Sequence, residues 1–100
     1  MTRRPNILFL VSDQERQRDW LPRGVELPNR QRLIDGGLEF RRHYTHSSPC
    51  SPSRATLMTG QYVPQHRVDH NVIAPAHREL DPDITTVGHV LRRAGYYSAY

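Results

Sequence analysis

The sequence has no lysine: all fourteen basic residues are arginines, which against ten acidic residues give a net charge of +4. A basic balance suits anionic partners, but these arginines are scattered in pairs such as Arg3 and Arg4, Arg16 and Arg18, Arg41 and Arg42, or Arg92 and Arg93. No run of five or six occurs, and no aromatic residues interleave with them to stack on bases. Nucleic acid is therefore not expected among the partners. Cys50 is the one cysteine, which excludes an internal disulfide framework and any multi-cysteine zinc site. Long apolar runs are missing too. The N-terminal stretch offers only six apolar or near-apolar residues, 7–12, where a membrane span needs about twenty. It also lacks the longer apolar region and small-residue cleavage site of a secretory signal. No membrane partner is expected, and the expected location is cytoplasmic.

What is present reads as alternating strands and helices. Residues 6–12 form a continuous apolar run ended by Asp13, the pattern of a central strand buried on both faces of a parallel sheet. Ligand sites in such sheets lie beyond the carboxyl ends of the strands, which places Asp13 and Gln14 where chemistry is expected. Residues 15–27 read as a loop anchored by Trp20. Pro28 and Asn29 open a helix with Leu33 and Ile34 facing inward and Gly36-Gly37 as its stop. Leu38, Phe40 and Tyr44 predict a second strand, 45–53 a small-residue loop, and Arg54 to Thr59 a helix ended by Gly60. Residues 61–82, with three prolines and three histidines, read as irregular. The last helix is capped by Asp83 or Thr85, turns Ile84, Val87, Val90, Leu91 and Ala94 to one face, and stops at Gly95. A third strand opens at 96–100 with nothing after it to complete or cover it. The fold class is α/β with a mainly parallel sheet.

Cys50-Ser51-Pro52-Ser53-Arg54 carries the chemistry. A cysteine beside a helix start feels the positive end of the peptide dipole and several unpaired amide donors. Arg54, one turn on, adds a fixed positive charge, so the spot suits a thiolate or a bound anion. From composition alone, a lone cysteine among prolines reads instead as a small buried filler.

The wider window decides between these. The thirteen residues from Ser48 to Gly60 resemble the first signature of the type I sulfatases, whose core is Cys-x-Pro-x-Arg followed by small and apolar residues and Thr-Gly. Pro5-Asn6-Ile7-Leu8 with Asp13 resembles the opening strand of that family. Pro28-Asn29, Leu33, Gly37 and Phe40 resemble the helix and strand that follow. Gly95-Tyr96-Tyr97-Ser98 resembles the start of a second signature, which continues to Gly-Lys and a His beyond Tyr100.

The resemblance implies an alkaline-phosphatase-like α/β sandwich, with residues 1–100 as the N-terminal part of one sulfatase catalytic domain, incomplete at its C-terminal end. It implies hydrolysis of a small-molecule sulfate monoester. It implies that Cys50 is oxidised by a formylglycine-generating enzyme to formylglycine, whose hydrate attacks sulfur through one hydroxyl and releases the alcohol, after which the other hydroxyl expels sulfate by re-forming the aldehyde. An ordinary serine sulfate would need water to attack a crowded anion, whereas the hemiacetal ester collapses from within. A divalent metal, calcium first and Mn2+ or Mg2+ as alternatives, is implied as cofactor, with Asp13, Gln14 and Cys50 as ligands. Arg54 joins Cys50 as a catalytic residue, orienting the modified side chain. Ser51, Pro52 and Ser53 serve the modifying enzyme and the tight turn.

Gln14 departs from the second aspartate of many members and removes one negative charge. The same Asp-Gln pair occurs in members resembling choline sulfatases and phosphonate monoester hydrolases. These also carry a His/Thr-Arg and a following Asn that reaches the bound anion, which makes Asn71, with His66 and Arg67, the implied substrate contacts. Asp69 and His70 read as surface polar residues, and His43, His46, His77 and His89 as structural or surface ones. A phosphonate monoester or phosphodiester hydrolase is the alternative, and Ser98 favours the sulfatase. A non-catalytic anion- or metal-binding homologue is the reading from another class. The hundred residues alone are expected neither to turn over ester nor to hold metal tightly.

Overall fold

Proline and glycine punctuate this chain, and the helices fall where those residues allow. The computed structural model describes residues 4–73 and 78–99. The chain divides into two units, Met1–Glu39 and Phe40–Tyr100. His77 and Tyr100, both named in the sequence reading, lie outside the described residues.

In the first unit a 3-10 turn, Arg18–Trp20, precedes helix α1, Pro28–Asp35. Gln17 organises the turn: its side-chain carbonyl accepts from the Asp19 amide at 2.9 Å and its Nε2 donates to Asp19 Oδ2 at 2.9 Å. Pro28 suits the first position of α1, where its missing N–H costs nothing. The loop before α1 is tied to it by the Glu15–Arg30 ion pair at 2.6 Å, and Ser12 Oγ donates to Glu15. Two expectations need correction. Trp20 is 72% exposed and anchors nothing, and Leu33 is 69% exposed, so only Ile34 of the expected inward pair is partly covered.

The second unit holds α2 (Cys50–Thr59), α3 (Val63–His66) and α4 (Val87–Arg93), with α2 packed on both of the others. Its core is small: Pro52 and Ala55 from α2, with His66 and Val68. Helix α2 starts four residues earlier than expected, at Cys50 itself, because Pro52 falls in the first turn, where a proline is tolerated. It ends at Gly60, whose φ of 67° is left-handed and whose N–H donates to Thr56 O at 2.8 Å. A Cβ placed on Gly60 meets nothing within 4 Å. Gly60→Ala is therefore expected to lose only the backbone term, about 1–2 kcal/mol. Urea unfolding checks this, and an unchanged midpoint would contradict it.

Helix α4 is capped by Thr86, not by Asp83 or Thr85. The Thr86 N–H donates to His89 Nδ1 at 3.0 Å, a reciprocal turn that only the residue three before a suitable acceptor can make. At the other end Tyr96 N–H reaches Leu91 O at 3.0 Å and Gly95 N–H reaches Arg92 O at 2.9 Å, with Gly95 at φ 83°. That double bond is the Schellman stop. The expected apolar face of α4 is only half covered, since Ile84 and Leu91 are partly buried while Val87, Val90 and Ala94 are exposed.

No strand is present among the described residues, so the expected strands at 6–12, 38–44 and 96–99 are not seen. A strand is a relation between segments: its N–H and C=O groups need a neighbour's ladder. The apolar pattern of 7–11 is intact, yet all five side chains are exposed, Leu8 by 82%. The parallel sheet is thus not observed here, and the helices alone represent the α/β architecture.

Candidate functional site

Cys50 is the first residue of α2, follows the cis Ser48–Pro49 peptide, and is exposed. The buried-filler reading of this cysteine is overturned. The helix buries Pro52 and Ala55, with Thr59 partly covered, along one side. Cys50, Arg54 and Leu57, spaced by four and three residues, share an exposed side. The guanidinium of Arg54 therefore rises from the same helical stripe as the cysteine.

The start of α2 is less open to an anion than the sequence implies. Pro49 occupies the cap position and makes no side-chain capping bond. The cap comes from twenty residues on: Ser51 N–H donates to Asn71 Oδ1 at 2.9 Å. Val72 N–H returns the contact to Ser51 Oγ at 3.3 Å. Pro52 has no N–H, and Ser53 N–H donates to Pro49 O at 3.2 Å. Three of the first four helical positions are thus closed to a ligand, and the expected set of unpaired donors is not there. A side-chain cap of this kind contributes about 1 kcal/mol.

His66 ends α3 and is the most deeply buried polar side chain described, 1% exposed. Its Nδ1 accepts from Val68 N–H at 3.1 Å and its Nε2 lies 3.0 Å from Thr56 Oγ1. Arg67, next in sequence, caps α3 in the left-handed region at φ 61°, with its N–H on Val63 O at 2.7 Å and its side chain exposed. Asp69 and His70 are exposed and face each other at 3.4 Å. His46 leans on Tyr62 with ring centroids 4.2 Å apart. The structure therefore gathers Cys50, Arg54, Asn71 and His66 around α2, with Arg67 at the end of the neighbouring helix. Sequence reasoning missed Ser47 and Thr56, which bond to each other at 3.2 Å. Their only signal was hydroxyl residues nine apart across a proline turn.

Asp13 and Gln14 belong to the first unit, at a bend where Gln14 takes φ 54°. A non-glycine residue there stores roughly 1–2 kcal/mol of backbone strain. Their donor chemistry fits a hard cation in kind, a carboxylate and an amide oxygen, but not in number, since calcium takes about six to eight oxygens. Among the described residues no group of three or more His, Cys, Asp or Glu could hold a metal. The first unit also carries a groove of about 470 Å³ between its Leu21–Leu27 loop and α1. It contains none of the site residues expected from the sequence.

An exposed cysteine opens α2, with an arginine one turn later and an asparagine clamping the turn. The sulfatase family model matches residues 5–100, and the chain belongs to the sulfatase family. The family's fold is the alkaline-phosphatase-like α/β class. The multifunctional alkaline phosphatase superfamily protein PehA of Trinickia caryophylli is 38% identical over 105 residues, covering 96% of this chain and 19% of its own length. The choline-sulfatase of Rhizobium meliloti is 37% identical over 102 residues, covering 98% and 19%. Arylsulfatase G of Rattus norvegicus is 32% identical over 99 residues, covering 96% and 19%. The chain thus spans about a fifth of the length of these relatives. No solved structure matches it. No helix among the described residues is long and apolar enough to cross a membrane.

Proposed function

We propose that this chain is the N-terminal part of a sulfuric ester hydrolase acting on a small-molecule sulfate monoester, with Cys50 as the seat of the nucleophile. The observation that carries the reading is Cys50 itself: exposed, first in α2, and held there by Asn71 through Ser51. A formylglycine-generating enzyme is the partner that would convert it, and the hydrated aldehyde would then supply the attacking hydroxyl. Arg54, always charged, orients that group and offsets charge on the sulfate through planar donors. Sulfate oxygens only accept, so a contact from Asn71 would be a donation from its Nδ2, its Oδ1 being committed to Ser51. Arg67, exposed beside this region, is the second substrate contact. To His66, buried with both ring nitrogens engaged, we give a holding role and not one on the substrate.

Asp13 and Gln14 are proposed as ligands of a divalent cation, calcium before manganese or magnesium, with further donors from outside these hundred residues. When bound, such an ion offsets the negative charge of the transferring group. The segments at 6–12, 38–44 and 96–100 are proposed to pair as strands with the remainder of the enzyme, which the unsatisfied apolar surface of 7–11 favours. A second reading, a phosphonate monoester or phosphodiester hydrolase using the same nucleophile, is favoured by Gln14 in the place of a second carboxylate.

Peptide mass spectrometry of Cys50 in full-length protein from its own host tests the proposal. Conversion to the aldehyde removes about 18 Da and leaves a group that reacts with hydrazides. A free thiol at Cys50, in a host that converts another sulfatase, would overturn the formylglycine route and leave a non-catalytic homologue.

A further inference from the structure

We infer that Thr56 is a positioning residue for Cys50, set to that task by the buried ring of His66. The directions of the hydrogen bonds at His66 are forced. Val68 N–H donates to His66 Nδ1 at 3.1 Å, so that nitrogen carries no hydrogen and the ring hydrogen sits on Nε2. Nε2 therefore donates to Thr56 Oγ1 at 3.0 Å. The Thr56 hydroxyl also bonds Ser47 Oγ, 3.2 Å away, where either oxygen can donate. The result is a relay of hydrogen bonds from Val68 through His66 and Thr56 to Ser47, three residues before the cysteine.

A second lacing runs beside it. Thr45 Oγ1 donates to Ser47 O at 2.9 Å, which leaves Thr45 to accept from Ser53 Oγ at 3.2 Å. Ser53 and Thr56 are three apart and share one face of α2, so segment 45–47 is fastened along that face. The relay's anchor is rigid, since His66 and Val68 are 1% and 2% exposed. The backbone entering Cys50 is thereby tied to a buried point on one side, while Asn71 and Val72 hold Ser51 just past it. Thr56 never touches a reacting atom; it acts through the turn. The inference rests on the proposed role of Cys50 for its functional half only.

The test uses full-length protein carrying Thr56→Val, Thr56→Ser or Ser47→Ala, with Val68→Ala as a control that weakens the core and leaves the relay's bonds in place. Ser47→Ala cuts the relay at its far end without orphaning the imidazole, and serves if Thr56→Val does not fold. At matched stability, amide exchange at Ser51 and Ser53 is expected to quicken about tenfold or more in Thr56→Val and Ser47→Ala, and not in Val68→Ala. Thr56→Ser should restore the parent rates. Turnover of 4-nitrophenyl sulfate should lose roughly tenfold or more in kcat with KM within about twofold, since small misplacements of a reacting group are costly. Acceleration spread evenly over α2, α3 and α4 in Thr56→Val and Ser47→Ala would overturn the inference. Local acceleration with kcat unchanged would uphold the relay as a structural tie and overturn Thr56 as a positioning residue for Cys50.

Discussion

Cys50→Ala in the full-length protein is expected to lower kcat on 4-nitrophenyl sulfate by roughly ten-thousand-fold, in line with loss of a covalent nucleophile. Folding should barely notice. Cys50 is exposed and its side chain takes no part in the small core of Pro52, Ala55, His66 and Val68. Substitutions at such positions fall within about 0.5 kcal/mol. The separation between the two effects is the point, because a variant that loses activity by unfolding would lose stability as well. Turnover above about one per cent of the parent, in a correctly folded variant, would remove Cys50 from the reaction. Arg54 would then have to act on a substrate attacked from elsewhere.

His66→Ala is expected to have the reverse signature, with a stability loss of about 3 kcal/mol. Alanine leaves the Val68 N–H without its acceptor in a residue 2% exposed, and takes from Thr56 the donor it accepts from. An orphaned buried polar group costs about 1–3 kcal/mol, and the vacated ring volume adds to it. Because native proteins hold only about 5–15 kcal/mol in reserve, the shift should be plain in a urea unfolding midpoint. A loss below about 1 kcal/mol would mean that water or a neighbour replaces the ring, and that the relay is not what holds α2.

The sequence made α1, α2 and α4 legible, missed the short α3 in the stretch 61–82 read as irregular, and left the sheet unformed. Helix boundaries are local, and Pro28, Gly60 and Gly95 announce them wherever the chain goes. A strand needs a second segment, so the apolar run at 7–11 states a preference that nothing among the described residues satisfies. The candidate site divides in the same way. The thirteen residues from Ser48 to Gly60 identified the family from local pattern, and the family model agrees over residues 5–100. The partners of those residues were not local. The resemblance makes Asn71 a substrate contact, but it cannot show its oxygen on the Ser51 amide. His66 is implied as a substrate contact within an irregular stretch, and nothing in that composition predicts burial to 1%. Thr56 passed unnoticed as a plain helical residue. The placement of Asp13 and Gln14 in the first unit and of Cys50 in the second follows the chain's division after Glu39, which no composition shift marks.

The clamp on α2 also sets a clock. The amide of Ser51 finds its cap on a residue twenty positions later, and the relay into Ser47 waits for His66. During synthesis at about 5–20 residues per second, the segment around Cys50 leaves the ribosome roughly one to four seconds before Asn71 follows it. Through that interval the cysteine belongs to an unfastened peptide, open to whatever reads a short linear stretch. Once residues 66–72 arrive, the same stretch becomes the closed first turn of a helix.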